Sequence, residues 1–146
     1  MEKIVHLPQP LQEKIEQRGE DFSTIIQRDL ECYYAILDMV ENEMKDQFSI
    51  KEASLLCNVF RNTQMEIGRL KSWPTLFVWD VEDVEKYERL GEQFEVDTND
   101  LIDKLEKLTP YQALWLRDKI LLFWNRSNST EKEEEATIKE LFRIEG

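Results

Sequence analysis

The sequence predicts a predominantly α-helical protein with one short strand at its amino terminus. Apolar residues recur at three- and four-residue spacing along most of the chain, as on helices that bury one face. Ser49 and Thr109 are each followed three positions later by Glu or Gln and then by an apolar helical pattern, which is a helix start signal. By contrast, residues 3–7 form a short apolar-rich run ended by Pro8, which is typical of a strand.

The first two predicted helices follow this strand. Pro10 opens a short helix, and Gly19 is placed to end it because glycine adopts the left-handed conformation at low cost. Asp21 is predicted to cap the next helix by accepting the backbone N–H of Thr24. That helix has a wide apolar face that continues through Val40 towards Met44, and its first members are Ile25, Ile26, Leu30, Tyr33, Tyr34 and Leu37.

A second group of helices is predicted from residue 49 onwards. Ser49 and Glu52 form a capping box at its start. An acidic helix is predicted to begin at Asp80 and to end at Gly91, and another helix to begin at Asp97.

The clearest helix start in the sequence lies at residues 109–112. Thr109 is the predicted N-cap, Pro110 takes the first helical position, and Gln112 completes a capping box. The helix that follows is apolar almost all round through residue 124, so we expect it at the buried centre of the domain. A linker over 125–130 and a final helix over 131–143 complete the prediction.

Charge excludes several classes of function. The 146 residues carry a formal net charge of −12, with a pI near 4.6. We divide the chain into a dimerisation module (1–45), a helical domain (46–124) and a linker with a last helix (125–146), whose net charges are −5, −5 and −2. Such a field repels nucleic acid and anionic membranes. The most apolar stretch, 113–124, is too short to cross a bilayer, which needs roughly 20 residues, and the first residues do not resemble a signal peptide. We therefore expect a cytoplasmic protein without membrane contact.

Catalytic chemistry is not indicated. The single histidine, His6, rules out sites that need two histidines, such as zinc-protease helices and di-iron bundles. Four scattered glycines form no phosphate-binding loop. Cys32 and Cys57 lie in apolar helical patterns, so we expect both to be reduced and buried. The sequence therefore predicts no enzyme, no cofactor and no metal.

The first 37 residues resemble the ribbon-helix-helix family. The resemblance lies in the order of a short strand, Leu-Pro, a short helix, glycine and a capped longer helix, carried by Lys3-Ile4-Val5-His6-Leu7-Pro8, Leu11, Ile15, Gly19, Asp21, Ser23, Ile25, Ile26 and Leu30. It implies an intertwined homodimer in which strands of two chains pair antiparallel. It also implies that some outward-facing residues meet DNA: Glu2, Ile4 and His6 in the groove, and Phe22 and Ser23 at a phosphate.

The sequence departs from that family at the DNA-facing positions. Base reading uses Arg, Lys, Asn or Gln, whereas Glu2 is repelled by DNA and Ile4 has no donor. Only His6 could donate a hydrogen bond. Glu20 and Asp21 add negative charge beside the implied phosphate contact. We therefore keep the fold implied by the resemblance and expect little DNA binding.

A second candidate surface lies in the acidic helix and the residues before it. Glu82 and Glu85 share one helical face, but Lys86 and Arg89 interleave, so a solvated face is favoured over a partner surface. For Phe77 and Trp79, core packing is favoured over an interface. The first functional hypothesis is a non-catalytic homodimeric protein-interaction protein, an adaptor or regulator, with an unidentified protein partner. The alternative is a ribbon-helix-helix DNA-binding transcriptional regulator or antitoxin.

Overall fold

Seven helices make up the regular structure in the computed structural model, which describes residues 6–59, 81–126 and 130–145, and only the backbone of residues 59 and 81–87. Their bounds are α1 Gln9–Arg18, α2 Phe22–Met44, α3 Ile50–Val59, α4 Val81–Phe94, α5 Thr98–Glu106, α6 Pro110–Asn125 and α7 Glu131–Leu141. The described residues contain no strand, and His6 and Leu7 have no regular structure. Residues 3–5 lie outside the description. The predominantly α class is confirmed, whereas the predicted amino-terminal strand is not supported.

Contacts divide the chain into two units, Met1–Ile36 and Leu37–Gly146. This boundary falls inside α2, and α7 lies within the second unit. The division therefore differs from the segments 1–45, 46–124 and 125–146 drawn from the sequence.

The core of the second unit is built around α3 and α6. α3 packs against α4, α6 and α7, and α6 also contacts α7. Trp115 of α6 is fully buried and meets Phe142 edge to face, with ring centroids 5.7 Å apart. The prediction that α6 is surrounded on all sides is wrong in part, because Leu121 and Leu122 are 38% and 37% exposed.

Local capping chemistry starts α3, α5 and α6 where it was predicted, whereas Asp80, the predicted start of α4, lies outside the described residues. The Ser49 N–H donates to Glu52 Oε1 (2.9 Å), and the Glu52 N–H donates to Ser49 Oγ (3.1 Å). Thr109 and Gln112 form the same reciprocal pair before α6. Asp97 accepts the N–H groups that open α5. These side chains satisfy N–H groups that have no partner within the helix.

Two predicted helix ends are wrong. α4 passes through Gly91 to Phe94, and the left-handed residue that ends it is Glu95, with φ of 57°. A Cβ on Gly91 would lie 2.6 Å from Thr98 Cγ2, so this glycine is required for close packing and not for a turn. α7 ends at Leu141, before the predicted residue 143, because Arg143 is left-handed with φ of 54°.

Candidate functional site

Most residues of the two predicted sites fall where their side chains are not described. Outside the described residues, or within the backbone-only part of α4, lie Glu2, Ile4, Phe77, Trp79, Glu82 and Glu85. His6 is exposed, and so are Phe22 and Ser23 at the start of α2. The structure therefore places three of the five proposed DNA-facing residues at the surface and describes no side chain of the proposed partner surface.

The Glu20 carboxylate, between α1 and α2, pairs with Arg18 at the end of α1 and with Arg28 of α2. Arg28 Nη1 lies 2.6 Å from Glu20 Oε2, and Arg18 Nε lies 3.6 Å from Glu20 Oε1. The hydrogen bond and the charge of Glu20 raise the pKa of Arg28. Because one carboxylate engages both guanidinium groups, the positive field available to a phosphate is reduced.

One apolar stripe of α2 follows heptad spacing along the helix. We call these residues the α2 seam, and their alternating four- and three-residue spacing is that of a coiled coil: Ile26, Leu30, Tyr33, Leu37, Val40 and Met44. The last three are at most 6% exposed within the second unit, whereas Leu30 is 50% exposed. The carboxyl-terminal half of the seam is therefore buried, whereas the amino-terminal half is only partly covered, since Ile26 and Tyr33 are half-buried and Leu30 is exposed.

The first unit has little core of its own. No residue of α1 is buried, and Ile25 is the one buried apolar side chain among the described residues of this unit. Large apolar side chains are exposed instead: Leu11, Phe22, Leu30 and Tyr34 at 44%, 41%, 50% and 58%. The described residues of this unit therefore bury little apolar surface to offset the conformational entropy lost on ordering them.

Also in the second unit, a groove runs between α3 and α7 and is closed by the end of α4. Its walls are single helix faces, since the lining residues are spaced by three and four along α7. Its apolar side chains are Ile50 and Phe94, both half-buried, and Ile138, which is 1% exposed. Four carboxylates lie among these residues, and we call the site the acidic groove: Glu95, Glu131, Glu134 and Glu135.

Among the described residues that line the acidic groove, Lys51 carries the one ammonium group. Lys51 pairs with Glu95, and Glu135 lies 3.6 Å from Lys139 Nζ. Burial raises the pKa of the nearby Cys57 thiol, and the charge of Glu134 raises it further. Cys57 is buried as predicted, whereas Cys32 is exposed, which corrects the prediction that both are buried. A buried thiol whose pKa is raised is a poor nucleophile.

A second carboxylate cluster has a structural role. Glu41 of α2 accepts Trp115 Nε1 (2.6 Å) and Arg143 Nε (3.2 Å), and Lys119 Nζ lies 3.5 Å away. Burial alone would raise the pKa of Glu41, but the Trp115 hydrogen bond and the two cations outweigh it, so the pKa is lowered. Glu41 thus ties α2 to α6 and to the residues after α7.

Sequence analysis missed both the acidic groove and the Glu41 cluster. Glutamates in the first turn of α7 suit the helix dipole, which accounts for them in the sequence without any groove. The signal that could have indicated a groove wall is the spacing of Glu131, Glu134, Glu135 and Ile138, which places them on one face.

The described side chains form no cluster of three His, Cys, Asp or Glu that could hold a metal ion. No helix in the described ranges is both long and apolar enough to cross a membrane. Comparison of the chain with protein-family models, with curated proteins and with solved structures finds no match.

Proposed function

We propose that this chain is a non-catalytic homodimer that binds another protein, with the amino-terminal half of the α2 seam, centred on the exposed Leu30, as its self-association surface. The observation that carries the proposal is the change in burial along one stripe, from 50% exposure at Leu30 to 6% at Leu37. A heptad seam is stable when knobs from a second helix fill it. The first unit supplies no such helix from its own described residues, because α1 buries none of its side chains.

A second copy of the chain is the partner that suits this seam. The positions that flank the amino-terminal half of the seam carry Gln27, Asp29 and Tyr34. Pairing two copies of the chain therefore brings together no row of like charges. Tyr34 and Leu30 also lie on the same face, four residues apart, and extend the apolar surface. An interface formed by the same patch on both chains closes with two-fold symmetry.

The interaction role rests on the acidic surface of the second unit. The chain's excess of carboxylates favours basic protein partners over nucleic acid. The two free thiols, one of them exposed, are consistent with the reducing cytoplasm in which we propose that it acts. Whether Glu82 and Glu85 contribute stays a prediction.

Light scattering on the purified chain tests self-association. We expect a particle of twice 17.5 kDa at micromolar concentration. A monodisperse monomer under the same conditions would contradict the proposal. Adding DNA from the native upstream region to the same sample tests the competing regulator hypothesis, which requires a discrete complex.

A further inference from the structure

We propose that the acidic groove binds a short basic peptide segment of another protein, in which an apolar side chain lies between lysines or arginines. The inference rests on the proposed interaction function and names the chemistry of the partner. It does not depend on self-association, because every residue that lines the groove lies in the second unit.

The apolar side chain of the proposed peptide would pack against the partly covered side chains of the groove. Ile50 and Phe94 are half-buried and stand on different helices, with Ile138 beneath them on a third. An apolar side chain inserted here would complete their burial and release water. A small apolar pocket surrounded by polar groups is the usual setting of an interaction hot spot.

The lysines or arginines of the proposed peptide would face the carboxylates around that pocket. Glu95 and Glu135 already have lysine partners, whereas Glu131 and Glu134 form no ion pair among the described residues. The dipole of α7 favours acidic residues anywhere in its first turn. The dipole alone does not explain why Glu131 and Glu134 lie beside the apolar side chains of the groove. Glu133 lies in the same first turn and does not line the groove.

Other ligand classes fit less well. A divalent cation needs several converging oxygen ligands, and the described carboxylates form no such cluster. Nucleic acid and anionic lipid are repelled by four carboxylates set against one ammonium group. From Ile50 to Asn58, the wall on α3 spans about 12 Å at 1.5 Å per residue. That length suits three or four residues of extended peptide at about 3.3 Å each.

Fluorescence anisotropy with a labelled peptide tests the proposal. The probe carries a central leucine flanked by lysines and arginines, and a second probe has serine in place of that leucine. With the full chain we expect saturable binding of the leucine probe that weakens with salt. Glu131→Gln combined with Glu134→Gln should raise the dissociation constant roughly 2- to 30-fold, the range for losing two partly exposed ion pairs.

The matched control changes the same charge away from the groove. Glu133→Gln lies in the same first turn of α7, and Glu88→Gln is exposed on α4, so this pair alters net charge equally. Binding should stay within about twofold of wild type, since distant surface charges are screened. Equal weakening by both pairs would overturn the proposal, and so would equal binding of the serine probe or no saturable binding.

Light scattering on the same variants separates this inference from self-association. A dimer that binds no peptide would sink the groove proposal and leave self-association standing. A monomer that binds the leucine probe, and binds it more weakly after Glu131→Gln combined with Glu134→Gln, would support the groove and contradict self-association.

Discussion

Replacing Leu30 with lysine is the sharpest test of the α2 seam. Leu30 is 50% exposed in the single chain, so about half of its burial energy is available to a partner. Full burial of a leucine stabilises by roughly 1.5–3 kcal/mol. Half of this burial energy is about 0.75–1.5 kcal/mol per copy, so the two leucines of a symmetric dimer together contribute about 1.5–3 kcal/mol. At about 1.4 kcal/mol per factor of ten, Leu30→Lys should raise the dimer dissociation constant roughly 10- to 100-fold.

Sedimentation equilibrium over a dilution series measures that constant directly. The matched control is Ala35→Lys, which adds the same charge to an exposed position roughly 140° around α2 from Leu30. Far-UV circular dichroism should be the same for both variants, because neither position is buried. Dissociation constants that match between Leu30→Lys and wild type, or that shift equally in both variants, would refute the seam as the interface.

Four further outcomes are expected. Leu116→Ala, at a fully buried position, should cost about 2–5 kcal/mol in urea unfolding, whereas Leu121→Ala, at a position 38% exposed, should cost below about 1 kcal/mol. Glu41→Gln should cost about 1–2 kcal/mol at neutral pH. Because the folded-state pKa of Glu41 is lowered, its contribution is present above the unfolded pKa near 4.3 and is lost as pH falls through the folded value, so wild-type and variant melting temperatures should converge in acid. Gly91→Ala should destabilise by roughly 1–3 kcal/mol despite alanine's better helix propensity, because of the Thr98 contact. In gel retardation at about 150 mM salt, a regime of strong screening, no DNA complex should form; a discrete complex that His6→Ala abolishes would favour the regulator hypothesis.

Helix starts could be predicted because their chemistry is local. The capping boxes of α3 and α6 each lie within four residues, and both form with reciprocal hydrogen bonds. The N-cap of α5 at Asp97 is of the same kind. Such groups satisfy the first N–H groups of a helix whatever surrounds it, so sequence alone identifies them.

Helix ends and polar contacts depended on residues far along the chain. Gly91 has the residue type of a helix stop, yet it lies within α4, where a Cβ would lie 2.6 Å from Thr98 Cγ2, and Glu95 takes the left-handed position. Glu41 meets Trp115 across 74 positions and Arg143 across 102. No local pattern contains such pairings, because they arise only when separate helices pack.

Periodicity identifies the face of a helix that needs covering, and it does not identify what covers it. Leu30 and Leu37 have the same side chain and occupy equivalent positions of the α2 seam, one heptad apart. Their exposures are 50% and 6%, and Leu37 belongs to the second unit and to its core, whereas Leu30 belongs to the first unit. From sequence, both belonged to one apolar face and both suggested a core. The part of the seam around Leu37 belongs to the core of the fold, whereas the part around Leu30 leaves an apolar side chain exposed. The proposal of self-association through α2 therefore rests on this difference in burial and not on the amino-terminal strand predicted from the sequence.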